Sequence, residues 1–367
     1  MKHNIINYAQ TVLEPFSVRP FSPVDSLILS SAVYICLPRE LSAGHSWEGI
    51  PLRELFLAEH FEEMFHIPWM AEENKELLTA MVASPRFRDV KIRGYREQID
   101  TVEQKQFAAM TFQLTPELCY AAFRGTDSTL VGWKEDFNMF FQCPVPAQKE
   151  AVSYLEEAVA NCPGEVLTGG HSKGGNLAIY AAAMCSEETR HRLGRVYSHD
   201  GPGFTEETLA TEAFRRVEGI IERTLPQSSV VGLLLEQGAN FRVVKSRNLS
   251  VFQHDQYSWV VKDGDFRDVK DLTHTAQYTD RALTNWLNGL SREERERFVD
   301  ALYSVINAND MTTLAELRSD WAKHLPSILR AVNQLDSETK HFLGSTLKAL
   351  VTWNIKTVPE MLQERKK

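Results

Sequence analysis

A serine hydroxyl becomes a useful nucleophile when a neighbouring base takes its proton and the backbone lifts it clear of its surroundings. The pentapeptide Gly170-His171-Ser172-Lys173-Gly174 has the residue types for such a presentation. It matches G-x-S-x-G, and Gly175 adds one more small neighbour. The apolar run from Glu165 to Thr168 reads as a strand ending in Gly169-Gly170. The stretch from Asn176 to Met184, rich in Ala, Leu and Ile, reads as a helix. A sharp strand-to-helix turn tolerates only small flanking residues, and it sets helix N-terminal amides near a developing oxyanion. The plain alternative is a Gly-rich turn carrying an incidental serine.

The elements around this turn follow from pattern. Ser22-Pro23-Val24-Asp25 has the hydroxyl, proline and first-turn acid of a helix start, and the helix would run toward Pro38. Apolar spacing predicts further helices over 51–65 and 73–82, whereas 86–103 is charged and ambiguous. Phe107 to Leu114 and Leu118 to Phe123 read as strands joined by a turn at Thr115-Pro116-Glu117. A loop with Gly125 and Gly132 follows, then a helix from about 147 to 160. Short strands are expected at 195–198 and 241–245. Strands alternating with helices predict a largely parallel sheet. From Tyr278 onward the pattern is helical again, with a capping box at Ser291-Arg292-Glu293-Glu294. The expected organisation is an N-terminal helical region (1–105), an α/β core (106–275) and a C-terminal helical annex (276–367).

Phe123-Arg124-Gly125-Thr126-Asp127-Ser128, followed by Trp133 and Asp136, resembles the oxyanion loop of the class 3 lipases. Together with Gly170 to Gly175 it resembles more closely a bacterial family of lipase-like proteins of unknown function, over about Ser22 to Trp259. The resemblance implies an α/β-hydrolase fold, a mostly parallel sheet flanked by helices, with N-terminal and C-terminal helical additions. It implies that Thr126 donates to an oxyanion by its amide, with its hydroxyl as a further candidate group. The second donor would be the amide of Lys173, where class 3 lipases usually carry leucine. Arg124 reads equally as a structural ion pair or a substrate contact. The apolar stretch Leu130 to Phe141 either lines an acyl pocket or is a buried helix face.

The fold orders its catalytic groups as serine, acid, histidine. Asp200 ends the strand at 195–198 and opens Asp200-Gly201-Pro202-Gly203, which looks like the aspartate loop of pancreatic-type lipases. Its alternative is a turn-forming aspartate before glycine. Class 3 lipases place the acid one strand later, where this chain has Leu225-Pro226-Gln227-Ser228-Ser229 and no carboxylate. Glu236 and Asp255 are weaker candidates. His254 is the candidate base, in a segment that resembles the lipase-like family through Trp259; a satisfied loop histidine is its alternative. His274 is a rival base. His171 and His199 adjoin the candidates in sequence and read as packing or supporting groups. A Ser172–His254–Asp200 set implies ester cleavage through an acyl-enzyme. An acyltransferase using the same triad, and a non-catalytic binding protein on the same scaffold, remain open.

Composition bounds the rest. The chain has 367 residues, 43% hydrophobic and 24% charged, enough to fill a core. A net charge of −9 argues against nucleic acid as partner, since phosphate binding needs clustered Lys and Arg. Five scattered cysteines without C-x-x-C spacing argue against a disulfide framework or a zinc site. No metal or cofactor is implied. The longest apolar stretch, Leu27 to Leu37, is too short to span a bilayer, and the N-terminus lacks a signal-peptide pattern. The expectation is a cytoplasmic protein acting on a small-molecule or lipid ester.

Overall fold

The structure is a computed structural model. It describes residues 3–273 except 68, 69, 128, 140 and 239, and beyond them isolated positions only. The chain divides into two compact units, Met1–Gly289 and Leu290–Lys367. His274 and the helices expected beyond Tyr278 lie outside the described residues.

In chain order the elements that bear on the site are α1 (Ile5–Thr11), α2 (Pro23–Ala32), β1 (Ile50–Pro51), α3 (Ala71–Ala83), β2 (Lys91–Asp100), β3 (Lys105–Thr115), β4 (Leu118–Phe123), α4 (Leu130–Asn138), α5 (Pro146–Asn161), β5 (Glu165–His171), α6 (Lys173–Met184), β6 (Leu193–His199), β7 (Ile221–Pro226) and β8 (Phe241–Val244). The eight strands form one sheet in the order β1-β2-β3-β4-β5-β6-β7-β8. The first three pairings, β1 to β4, are antiparallel, and the four from β4 to β8 are parallel. Helical crossovers return the chain to the same end of the parallel strands, so the loops after β5, β6 and β8 can meet.

Each face of the sheet has its own core. One face packs against α1, α2 and α3 through Leu27, Ile28, Met81, Phe112, Tyr120 and Trp259. The other packs against α5 and α6 through Phe107, Phe123, Tyr154, Leu155, Leu177 and Ile179. Alanines at 178, 181, 182 and 183 bring α6 close to the strands. The start of α2 has the reciprocal cap expected of it: Ser22 and Asp25 exchange hydrogen bonds with each other's backbone. Asp25 also takes a bidentate grip from Arg86, at 2.8 Å from Nε and 2.7 Å from an NH2 nitrogen, with both side chains fully buried.

Several expectations need correction. The helix expected over 51–65 is broken into β1 and short turns. Ile50 and Pro51 pair with β2, and the amides of Leu52 and Arg53 bond to the carbonyls of Val90 and Arg88. Sheet-edge pairing thus outweighs apolar spacing at this point. The charged segment 86–103 holds β2, and β7 forms at 221–226, leading into the Leu225–Ser229 stretch that the class 3 resemblance places after a strand. The stretch read either as an acyl-pocket lining or as a helix face holds a helix, α4, at 130–138, started by the Thr129 hydroxyl accepting from the Gly132 amide.

Candidate active site

Ser172 sits between the end of β5 and the start of α6, with φ 59° and ψ −134°. That backbone state is one most side chains avoid, and it is held by packing around the turn. A methyl on Gly170 would strike the backbone of Gly174, and one on Gly174 would strike the carbonyl of Phe123. The small residues of the motif are therefore required by close backbone approach. The Ser172 amide donates to the carbonyl of His199 at 2.9 Å, which ties the turn to the end of β6.

Asp200 is the next residue after β6. It is fully buried and adopts φ 52°. Its amide donates to Thr224 of β7 at 2.8 Å. One carboxylate oxygen accepts from the Ser229 hydroxyl at 2.5 Å and the Gly232 amide at 3.1 Å. The other accepts from His254 Nδ1 at 2.7 Å. The carboxylate is thus held from the loop after β7, and its remaining oxygen is aimed at the imidazole.

His254 ends a short 3-10 turn, 250–254, in the loop after β8. Its neighbour Gln253 anchors that loop: its side chain accepts from the Ser228 amide at 2.8 Å and donates to Asn248 at 2.9 Å. The Gln253 carbonyl accepts from the buried Trp259 indole at 2.8 Å. The His254 carbonyl accepts from His171 Nε2 at 2.9 Å, and the two rings lie 4.6 Å apart. With Nδ1–H donated to Asp200, His254 keeps its lone pair on Nε2. The loop bearing His254 is therefore bound to the residue before Ser172 and to the residue after β6. Among the rivals, Asp255 caps the following turn, accepting from the Tyr257 amide at 2.8 Å, and Glu236 bridges to Phe204.

His171 and His199 support the site from below. They are register neighbours on β5 and β6 and are almost wholly buried. His199 Nε2 bonds to Ser26 of α2 at 2.9 Å. Burial pushes its pKa down to about 3, and burial beside His254 drives that of His171 well down too. Both stay neutral near pH 7.

The loop after β4 lies across the turn. Arg124 is fully buried and paired with Glu97 at 2.7 Å and Asp127 at 3.4 Å, a structural arrangement. Gly125 passes beside Ser172 and Tyr34, where a methyl would meet the Tyr34 hydroxyl and the His171 carbonyl. Thr126 gives its hydroxyl proton to Asp136 of α4 at 2.5 Å, which leaves its amide as the candidate oxyanion donor. Burial raises the Asp136 carboxyl to about 6 against the opposing pull of Lys173. The Lys173 ammonium is drawn inside the protein. It donates to the Gln106 carbonyl at 2.9 Å, to Gln106 Oε1 at 2.7 Å and to Glu135 at 3.0 Å. Sequence reasoning missed Glu135 and Ser229. The signals in the sequence are an acid inside the apolar stretch 130–141 and a hydroxyl residue in the stretch 225–229, which has no carboxylate.

Among the described residues no cluster of His, Cys, Asp and Glu could hold a metal ion, and no helix is long and apolar enough to cross a membrane. All five cysteines are free.

A mostly parallel sheet flanked by helices, with a strained serine turn at its strand ends, is the α/β-hydrolase fold. The chain belongs to the Mbeg1-like family, whose model matches residues 81–304. Among curated proteins no match is found. Among solved structures, a fungal lipase–inhibitor complex is similar at 18% identity and TM-score 0.36, over 66% of this chain and 77% of that one. The native Rhizomucor miehei lipase propeptide complex is similar at 16% identity and TM-score 0.36, over 65% and 67%. M37 lipase is similar at 12% identity and TM-score 0.35, over 71% and 78%. These likenesses are distant.

Proposed function

We propose that this protein is a serine hydrolase that cleaves a carboxylic ester through an acyl-enzyme. Ser172 is the nucleophile, His254 the base and Asp200 the group that orients the base. The amides of Thr126 and Lys173 hold the oxyanion. The observation that carries the reading is the 2.7 Å bond from His254 Nδ1 to a buried carboxylate whose other oxygen is already occupied. It joins loops after β6 and β8, at the same sheet end as the strained Ser172. A histidine held in one tautomer by a fixed acid is what activates a serine.

In the reaction, His254 Nε2 takes the Ser172 proton as Oγ attacks the ester carbonyl. The tetrahedral oxyanion is held by amide donors, and Asp200 stabilises the imidazolium. Collapse expels the alkoxide, which takes the proton from Nε2 and leaves as the alcohol. Water then attacks the acyl-enzyme by the same route, giving the acid and free Ser172.

Labelling with a fluorophosphonate probe tests this. Wild type should label, Ser172→Ala should not, and Asp200→Asn and His254→Ala should label at least about 10³-fold more slowly. Well-folded wild-type protein that fails to label, or label found on a residue other than Ser172, would overturn the reading.

A further inference from the structure

Lys173 contributes a backbone amide to the proposed site, and for that purpose any side chain would serve. Yet its ammonium is placed where a cation is least favoured. Lys173 is 1% exposed and opens helix α6, whose N-terminal end carries the positive pole of the helix dipole. An apolar residue would avoid both penalties. All three ammonium protons are used, two on Gln106 at the start of β3 and one on Glu135. Glu135 is fully buried in α4. It also accepts from the Gln106 amide at 3.0 Å and from the Ala147 amide in the first turn of α5 at 2.8 Å. This one ion pair joins α4, α5, α6 and β3. The next residue, Asp136, holds the Thr126 hydroxyl. Adjacent carboxylates on α4 therefore grip the two residues whose amides are the proposed oxyanion donors.

We propose that the Lys173 side chain is a positioning residue. Through Glu135 it locks α4 onto the nucleophile turn and so fixes the spacing of the two donor amides. This rests on the serine-hydrolase reading. Lifting α4 would strand a buried ammonium, so the clamp keeps the donor loop assembled in the free protein.

The test uses the full chain and p-nitrophenyl acetate, a small ester in true solution. Lys173→Met should lower kcat by about 10²-fold, as a displacement of about 1 Å would, with KM within about threefold. The neutral pair Lys173→Met/Glu135→Gln removes the stranded charge and should recover thermal stability without recovering kcat. Recovery of kcat together with stability would overturn the proposal, because a merely structural pair would behave so. Hydrogen exchange, measured in a Ser172→Ala background, reads the clamp without reference to activity. Lys173→Met should speed exchange at the amides of α4 at least tenfold while the central strand β5 stays protected. Unchanged exchange in α4 would overturn the proposal. Failure of wild-type hydrolysis would instead remove the serine-hydrolase reading and with it the catalytic role, leaving exchange to report on the clamp alone.

Discussion

Acidification should destabilise this protein through His199, in a direction set by the burial of its ring. His199 is fully buried between Tyr197, Ser26 and Trp259, and burial holds its pKa near 3 in place of the usual 6.5. Between those values the unfolded chain binds a proton that the folded chain refuses. Stability therefore rises with pH across that window and is lost as pH falls from 6.5 toward 3. The slope is about 1.4 kcal/mol per pH unit, and the whole window is worth on the order of 5 kcal/mol. That rivals the entire stability of many domains. His171 acts in the same sense. Asp136, raised to about 6, acts in the opposite sense: the folded state keeps its proton longer, so its contribution falls as pH rises from about 4 to 6. Comparing variants isolates His199. His199→Phe keeps a ring against Tyr197, and Ser26 retains the Tyr120 hydroxyl at 2.7 Å. Urea unfolding followed by near-ultraviolet circular dichroism from pH 7.5 to 4.5 should show a variant slope shallower by about 1.4 kcal/mol per pH unit below 6. Identical slopes would refute the reasoning, since they would mean that His199 titrates alike in folded and unfolded chains.

Other outcomes follow from the packing and the acid's partners. Gly174→Ala forces a methyl into the Phe123 carbonyl, so soluble yield and near-ultraviolet dichroism should both collapse. Arg86→Met leaves Asp25 buried without its cation and should cost about 3–5 kcal/mol in urea unfolding. Ser229→Ala removes a hydroxyl bond to the buried Asp200 carboxylate, so urea unfolding should show a loss of about 1.5 kcal/mol and kcat should fall about tenfold.

The parts of the fold that local pattern controls were legible in the sequence. The cap at Ser22, the β3–β4 hairpin and the strand–turn–helix around Ser172 depend on nearby residues whose types announce them. Asp200 and His254 could be picked because each closes a recognisable strand or loop, and the structure joins them by a hydrogen bond. What sequence could not give is direction and partnership. Lys173 looked like a departure beside an acyl site, but its ammonium is matched to Glu135, 38 residues earlier, and nothing in their spacing reveals the pairing. The helix expected over 51–65 failed because Ile50 and Pro51 pair with a strand about 40 residues later. The missing carboxylate after β7 had a counterpart in Ser229, visible only once β6 and β7 lay side by side.

The strand order runs straight from β1 to β8, and this bears on how the protein is made. Each new strand pairs with the one laid down before it, so no strand must be threaded into a finished sheet. A chain leaving the ribosome can extend the sheet at one growing edge. The serine turn can then be complete well before residues 250–254 emerge. The contacts that bring residues 3–4 against 257–261 form later, when Asn4 donates to the Tyr257 carbonyl at 2.9 Å and the Val261 amide donates to His3 at 2.9 Å. A nascent chain halted near residue 240 would carry the turn and most of the sheet, but not the bond between Asp200 and His254. The order of synthesis would thus keep the nucleophile unarmed until His254 has emerged, long after Ser172.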